Sequence, residues 1–502
     1  MTSHPTLRYL DGTGSQIQMA DLVDLPYLVY LRLSYCNIQN LHAPSFINLR
    51  FLDLGHNNFS SIKMTTFLSF QNLYSLNLTG NPIVYLFTER SNTADPKSHL
   101  RHFDLSETLL KDFNSYMFES LEHLEKLDLS GMLIRTFDVN TFLSLRSLKV
   151  LKLERSRIVD LPSFLLSQLD DLQQVIAEDF RVCCARTLPP NFNAIFCIAP
   201  EDPVASCDDL FHSQFITIVL WIYLVIAFIT NSAKLIMVFK HTFGTAKAQE
   251  MILINVYISG MLMCVYLLIV CVHAAVYQDR YVDYDVEWKS GVACYTALYC
   301  NTLSWEVSTS SILVLLLYRV RAAGYRVTAS PRTIIVLCIV PWVLAIILTV
   351  LVHVSKDSHY TNNAACVHVI TQDTYNTDET MMLFSLNSVK FTACICCQVI
   401  LWISDHWSSS LYLSELDNDQ EKMTTKRVFN ITMLHSLSLL LVSLPYFSLE
   451  TKTVLTIIIT PLTSVFTPLL LAWNKYKEEK RLTHQKVLIT RLKVKIRSKG
   501  KQ

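Results

Sequence analysis

Charge is scarce in this chain of 502 residues: Asp, Glu, Lys and Arg make up 17%, against about 25% in ordinary soluble domains. With 51% hydrophobic residues the chain is too apolar to stay disordered. Glycine and proline are also few, at 10 and 15, which excludes collagen-like and low-complexity architectures. An excess of either sign of charge is missing as well. The 43 basic and 42 acidic residues leave a net charge of +1, so nucleic acid is not an expected partner. No Ser/His/Asp constellation, H-E-x-x-H motif, P-loop or G-x-G-x-x-G is present. An enzyme, a cofactor and a metal site are therefore not expected.

The scarcity of charge is uneven along the chain. Residues 1–212 mix polar and apolar positions, whereas 215–473 is dominated by long apolar runs. From Asn474 to Gln502 eleven Lys and Arg face only Glu478 and Glu479, a local charge of +9. A positive block directly after the last apolar run is what a cytoplasmic membrane flank looks like.

The first part is periodic. The template L-x-x-L-x-L-x-x-N/C-x-L fits Leu28–Leu31–Leu33–Cys36–Ile38, Leu49–Leu52–Leu54–Asn57–Phe59 and Leu73–Leu76–Leu78–Asn81–Ile83. Copies starting at Leu100, Leu124 and Leu148 keep the offsets and lose the Asn, with a weaker copy at Leu7 and a half-copy at Leu172. Starts at 28, 49, 73, 100, 124 and 148 fall 21, 24, 27, 24 and 24 residues apart, the period of a leucine-rich solenoid. Leucines two apart cannot share one helix face, which excludes a run of amphipathic helices. Each L-x-L is expected to be a short strand, with Asn57 and Asn81 satisfying backbone groups in the turns. Phe46, Phe67, Phe118, Phe142 and Phe164 are expected to fill the core from the convex side. The array begins without a signal peptide or a Cys-rich cap. A missing N-terminal part is the favoured expectation over a first helix acting as signal-anchor.

Cys183, Cys184, Cys197 and Cys207 follow within 25 residues. They read as a disulfide collar, and three connectivities remain open. Zinc fits poorly, because adjacent Cys183–Cys184 lacks ligand spacing. Apolar segments long enough to span a bilayer lie at 215–239, 251–273, 294–318, 333–354, 382–403, 428–448 and 453–473. Lys240, Lys247, Arg319, Arg321, Arg326, Arg332, Lys422, Lys426 and Arg427 follow the odd-numbered segments, and the positive-inside rule makes those loops and the tail cytoplasmic. The repeats then lie outside, where disulfides persist. The expected architecture is an α/β leucine-rich-repeat solenoid ectodomain followed by an all-α seven-transmembrane helix bundle. Its divisions are a repeat ectodomain at 1–182, a cysteine-rich hinge at 183–213, a bundle at 214–473 and a basic cytoplasmic tail at 474–502.

Several motifs point to one family. They are Phe180–Arg181 before Cys183–Cys184, Ser206–Cys207–Asp208–Asp209–Leu210, Trp288 before Cys294, Leu303–Ser304–Trp305–Glu306–Val307–Ser308, and Pro461–Leu462–Thr463–Ser464 with Thr467–Pro468–Leu469–Leu470. With these motifs the chain resembles the leucine-rich-repeat G-protein-coupled receptors of the rhodopsin-like class, most closely the relaxin-receptor branch. The resemblance implies a plasma-membrane receptor with an extracellular N-terminus, an extracellular peptide or protein hormone on the concave repeat face, and a heterotrimeric G protein at the cytoplasmic side. It also implies a Cys294–Cys366 disulfide. Arg319 matches the family's basic residue at the end of the third helix, but its acidic neighbour is Tyr318. Asn231 is kept in the first helix. The second-helix Asp aligns with Gly260, and the seventh-helix Asn-Pro-x-x-Tyr reads Thr467–Pro468–Leu469–Leu470–Leu471. These losses make a non-signalling adhesion molecule or ligand sink the competing reading. They also imply no sodium-linked switch, and that Gly260→Asp with Thr467→Asn would restore one.

The slot between the second and third leucines faces the concave surface and reads Asp11, Arg32, Asp53, Asn77, Asp104, Asp128, Lys152. Asp53, Asp104 and Asp128 are candidates to grip basic side chains of a peptide; the alternative is that Asp is common in this slot because it is solvated. Asn58 and Asn77 head glycosylation sequons, and a glycan on Asn77 would stand on the same face. Within the apolar segments, Glu306 and Lys390 are the ionisable residues that stand out, and such residues usually pair inside a bundle. Arg319, Asn231, Glu306 and Pro468 are the candidate coupling and switch residues.

Overall fold

The computed structural model describes residues 6–17, 22, 25–40, 46–68, 70–87, 98–202, 204–245, 248–325, 330–354, 364–367, 388–401, 403 and 456–470. The chain divides into two compact units, Met1–Asp202 and Pro203–Gln502. The stretch read as a hinge from sequence is shared between them.

The first unit is built on a parallel sheet of nine short strands. In order these are Tyr9–Asp11, Tyr30–Arg32, Phe51–Asp53, Ser75–Asn77, His102–Asp104, Lys126–Asp128, Val150–Leu153, Gln174–Ala177 and Cys197–Ile198. Every repeat pairs in register with the next, so Leu10, Leu31, Leu52, Leu76, Phe103, Leu127, Leu151 and Val175 stack in one column. From Leu31 to Val175 that column is buried. Smaller parallel sheets line the other flank, Ser61–Lys63 with Tyr85–Phe87 and Leu133–Phe137 between Asp112–Phe113 and Arg157–Asp160.

Two kinds of residue hold the turns. Asn57 Oδ1 accepts from the backbone N–H of Cys36 and of Ile38, both at 3.0 Å, and its Nδ2 donates to the carbonyls of Leu33 (2.7 Å) and Leu54 (2.9 Å). Asn81 repeats the pattern one turn later, on Phe59 N, Leu54 O and Leu78 O. Where the template loses its Asn, Ser156 Oγ recovers part of the pattern, donating to Leu129 O at 2.8 Å and accepting from Met132 N–H at 3.5 Å. Thr108 Oγ1, in the same slot, is buried without a partner among the described residues. The second kind sits where each turn needs a left-handed residue, the column Gly14, Tyr35, His56, Gly80, Glu107, Gly131 and Arg155, all with φ between 51° and 73°. A side chain at Gly80 would strike His56, with a Cβ 2.2 Å from its Nδ1.

Phe67, Phe118 and Phe142 fill the back of the core as expected, six residues before the first leucine of the next repeat, and Phe46 is buried three residues before Leu49. Phe164 does not. It is 59% exposed with φ 66°, because the position six before Leu172 belongs to Leu166, which is fully buried. Phe164 stands two residues too early for the slot.

The second unit carries α1 (Gln214–Thr245), α2 (Ala248–Val276), the short α3 (Tyr281–Ser290), α4 (Val292–Tyr325) and α5 (Pro331–Val354). Two shorter apolar helices follow, α6 (Ser388–Leu401) and α7 (Thr456–Leu470). Among the described residues four segments are long and apolar enough to cross a membrane: Gln214–Lys240, Gln249–Val276, Val292–Arg321 and Arg332–Val350. The expected segment at 428–448 and the basic tail from Asn474 onward lie outside the described residues. The helix α3 had no signal as an apolar segment; it is polar and carries an i,i+4 pair, Lys289 Nζ to Asp285 Oδ1 at 2.7 Å.

The turn chemistry gives a paired prediction. Asn57→Ala strands two backbone donors and two carbonyls, and should cost about 2–4 kcal/mol. Thr108→Asn supplies the missing ladder amide and should raise the midpoint of thermal unfolding. Melting of the purified chain, followed by circular dichroism, checks both signs.

Candidate ligand-binding face and transmembrane switch residues

The seven-residue slot forms an in-register column across the concave face, Asp11–Arg32–Asp53–Asn77–Asp104–Asp128–Lys152. Its acids have local work. The Oδ1 of Asp11, Asp53, Asp104 and Asp128 each accepts the backbone N–H two residues on, at 2.9–3.0 Å, and Asn77 Oδ1 does the same for Thr79. Each closes an Asx-turn at the end of its strand. Charge neighbours in the column then neutralise two of the three candidate acids. Arg32 Nε lies 2.8 Å from Asp53 Oδ2, and Lys152 Nζ lies 3.5 Å from Asp128 Oδ2. Asp104 has no such cation at contact distance among the described residues, and burial pushes its carboxyl above the usual range despite two hydrogen bonds from Ser106.

Beside this column runs a feature the sequence reasoning missed. Tyr9 stacks on Tyr30 with ring centroids 4.5 Å apart, followed by Phe51 at 6.0 Å, Tyr74 at 5.8 Å and His102 at 4.9 Å. Arg101 lies over Tyr74 at 5.8 Å from the ring centroid. The signal for the first three was the residue before each central leucine. Tyr74 belongs to the neighbouring column, so the pattern breaks in sequence but not in space.

Of the two sequons, Asn58 is exposed, whereas Asn77 is half-buried within a strand and engaged with Thr79. At the end of the array Arg181 is buried, its guanidinium on Asp179 (Nη2–Oδ2 2.6 Å) and on the carbonyl of Ile158 at 2.9 Å. Cys183 is bonded to Cys197, and Cys184 and Cys207 are also disulfide-bonded.

In the second unit, Cys294 and Cys366 form a disulfide. It holds the loop fragment Ala364–Val367, which is buried throughout. Trp288 Nε1 donates to Ala364 O at 2.7 Å, and Tyr266 Oη to Ala365 O at 3.1 Å. Glu306 on α4 and Lys390 on α6 are in direct contact as an ion pair, with both side chains largely buried. Arg319 is buried near the end of α4 and donates from Nη2 to Gln249 Oε1 on α2 at 2.7 Å. Asn255 accepts from Trp342 Nε1 at 3.2 Å and donates to Cys338 O at 2.8 Å, a contact between α2 and α5 that sequence did not reveal.

Asn231, Gly260 and Pro468 prove to be one arrangement. Pro468 has no N–H, so the Ser464 carbonyl four residues back loses its helical donor. Asn231 Nδ2 donates to that carbonyl at 3.1 Å and to Ala227 O at 2.8 Å. Gly260 makes room for it: a Cβ there would sit 2.5 Å from Asn231 Oδ1. That oxygen is buried without a partner among the described residues, and any larger residue at Gly260 requires Asn231 to shift. Thr467 Oγ1 donates to Thr463 O at 2.7 Å. Leu471 lies outside the described residues.

Three expectations follow. Asp104→Asn keeps the turn acceptor, as Asn77 does, and removes a buried charge. The folded-state pKa of Asp104 is raised, so its charge opposes folding above that pKa and ceases to do so below the unfolded value. The variant should melt higher at neutral pH, with the gain shrinking as pH falls through the carboxylate range. Gly260→Ala, and more so Gly260→Asp, should lower the amount of folded chain at the cell surface, measured by size-exclusion fluorescence and surface labelling. Peptide mapping with and without glycosidase should find carbohydrate on Asn58 and an unmodified Asn77.

A family model described as leucine rich repeat matches residues 22–83. A G-protein coupled receptor from Lymnaea stagnalis, GRL101, is 28% identical over 36% of this chain and 16% of its own length. The thyrotropin receptor of Bos taurus is 21% identical over 41% of this chain and 28% of its own length. The lutropin-choriogonadotropic hormone receptor of Bos taurus is 19% identical over 59% of this chain and 42% of its own length. The chain thus spans less than half the length of each of these relatives. The repeat match and the three receptors together support a place among leucine-rich-repeat-containing G-protein-coupled receptors.

Proposed function

We propose that the chain is a plasma-membrane receptor for an extracellular peptide or protein hormone. The repeat face captures the ligand, the cysteine-rich stretch passes the event to a seven-helix bundle, and a heterotrimeric G protein couples on the cytoplasmic side. The relaxin-like branch remains our reading of the motifs at Phe180–Arg181, Ser206–Leu210 and Leu303–Ser308. One observation carries the proposal: a solenoid with an accessible aromatic and charged concave face is followed in the chain by apolar helices, one of which the Cys294–Cys366 bridge ties to a buried loop. A relative whose name gives a hormone as its ligand is similar over 59% of the chain.

The buried pairs suit a switch. Glu306–Lys390 ties α4 to α6, and Arg319–Gln249 ties α4 to α2. Breaking a buried pair by removing one partner leaves a costly unpaired charge, so these contacts bias the bundle toward one arrangement. A non-signalling adhesion or ligand-sink role is favoured by a different observation, the missing side chain at Gly260 beside an Asn231 Oδ1 that has no partner among the described residues.

Expression in cells with cyclic AMP and inositol phosphate readouts separates the two. The receptor reading expects basal output above that of empty cells, a severalfold change on Gln249→Ala, and loss on Arg319→Ala at matched surface levels. Output indistinguishable from empty cells in all three would select the non-signalling reading.

A further inference from the structure

The concave face carries an order of charge that the acidic column hides. Immediately before each strand lie Arg8, Val29, Arg50, Tyr74, Arg101, Glu125 and Lys149, chained through backbone hydrogen bonds from each residue to the carbonyl of the one before. Arginine therefore recurs at alternate strands, and alternate strands are about 10 Å apart. Arg101 and Lys149 are both engaged by Glu125. Arg8 and Arg50 are exposed and have no ion pair among the described residues. Between these cations and the Arg32–Asp53 pair lies the row Tyr9, Tyr30 and Phe51, of which Tyr9 is 56% and Phe51 38% exposed. The acids of the neighbouring column are occupied by Asx-turns, and Asp53 also by Arg32.

We propose that this strip, Arg8 and Arg50 flanking the Tyr9–Tyr30–Phe51 row, docks an extended acidic peptide segment whose carboxylates stand three residues apart. The inference rests on the reading that the concave face captures the ligand, and it names what is captured. An extended chain in the polyproline-II conformation advances about 3.1 Å per residue with three residues per turn, so the side chains at i and i+3 lie on one face and match the spacing of the two arginines. Guanidinium–carboxylate contacts are bidentate and among the stronger hydrogen bonds. Apolar side chains between the acids lie on the ring edges. Arg101 and Lys149 are already engaged by Glu125, so a third acid meets no free cation there. A basic peptide finds the acidic column already neutralised at Asp53 and Asp128. Single-stranded nucleic acid needs free ring faces on which bases stack, and Tyr9 and Tyr30 turn theirs onto each other at 13°.

The test uses the purified full chain in lipid nanodiscs and fluorescein-labelled peptides read by anisotropy. The probe is Gly-Glu-Leu-Ala-Glu-Phe-Gly, with a Lys-for-Glu analogue and an isomer whose glutamates are adjacent as comparators. The Glu-x-x-Glu peptide should bind about tenfold tighter than either, and less tightly as salt rises. Arg50→Glu should abolish the preference and Tyr30→Ala should weaken binding. Tyr30→Phe and Arg135→Glu, on the opposite flank, should leave it intact. Equal binding of the Glu and Lys peptides, an unchanged preference in Arg50→Glu, or tighter binding of a nine-nucleotide single-stranded RNA would each overturn the proposal. Second-messenger output in the same variants is read separately. Peptide binding as expected with no output anywhere removes signalling and keeps the docking strip. Ligand-driven output that Arg50→Glu leaves unchanged keeps the receptor and removes the strip.

Discussion

A backbone carbonyl or amide that loses its regular partner must find another, and in both units of this chain an asparagine side chain provides it. Asn57 and Asn81 sit where the chain leaves one strand and has no ladder left to join. Asn231 sits where Pro468 has removed a helical donor. An amide offers one acceptor and two donors in a rigid plane, which suits it to take the place of a peptide group. The repeats and the helices are unrelated folds, yet each is stabilised at its least regular point by the same substitution of side chain for backbone. Elsewhere packing joins in: leucines stack while the turns hold their register, and α1 meets α7 through Ala227 and Val465 as well as through the Asn231–Ser464 bond.

The concave face shows how position and occupation differ. The acidic column was legible, since the slot between two leucines is a fixed place in the repeat. Its chemistry was only partly so. Arg32 and Lys152 stand in that same column, and parallel in-register pairing makes them neighbours of Asp53 and Asp128; the neutralisation follows once the sheet is drawn. The Asx-turns were less accessible, because they depend on the direction each carboxylate takes. The aromatic row crosses from one column to another at Tyr74, and no single offset in the template describes it.

Among the helices, sequence located the ionisable residues correctly, because a Glu and a Lys inside apolar runs have few places to go. Glu306 and Lys390 meet across 84 residues. Gly260 was read as something lost, since a missing side chain leaves no trace of what has taken its place. Only the structure shows how close Asn231 of the neighbouring helix stands, 2.5 Å from where a Cβ would lie. Phe164 failed for a simpler reason: aromatic identity outweighed the six-residue offset that Leu166 satisfies. Polar contacts such as Asn255–Trp342 carry no periodic signature at all, because each joins two helices whose facing sides cannot be read from either one alone.

The last strand of the nine-stranded sheet, Cys197–Ile198, begins at a residue bonded to Cys183. Completion of the sheet is thus tied to oxidation. In a chain whose thiols are still reduced, the strand Gln174–Ala177 has no covalent tether to hold its neighbour in place. Its outer row of backbone groups can then serve as a template for other chains, the hazard of any open sheet edge. The bond that finishes the repeats therefore also decides which row of backbone groups faces outward: the four-residue strand Gln174–Ala177 without it, the two-residue strand Cys197–Ile198 with it.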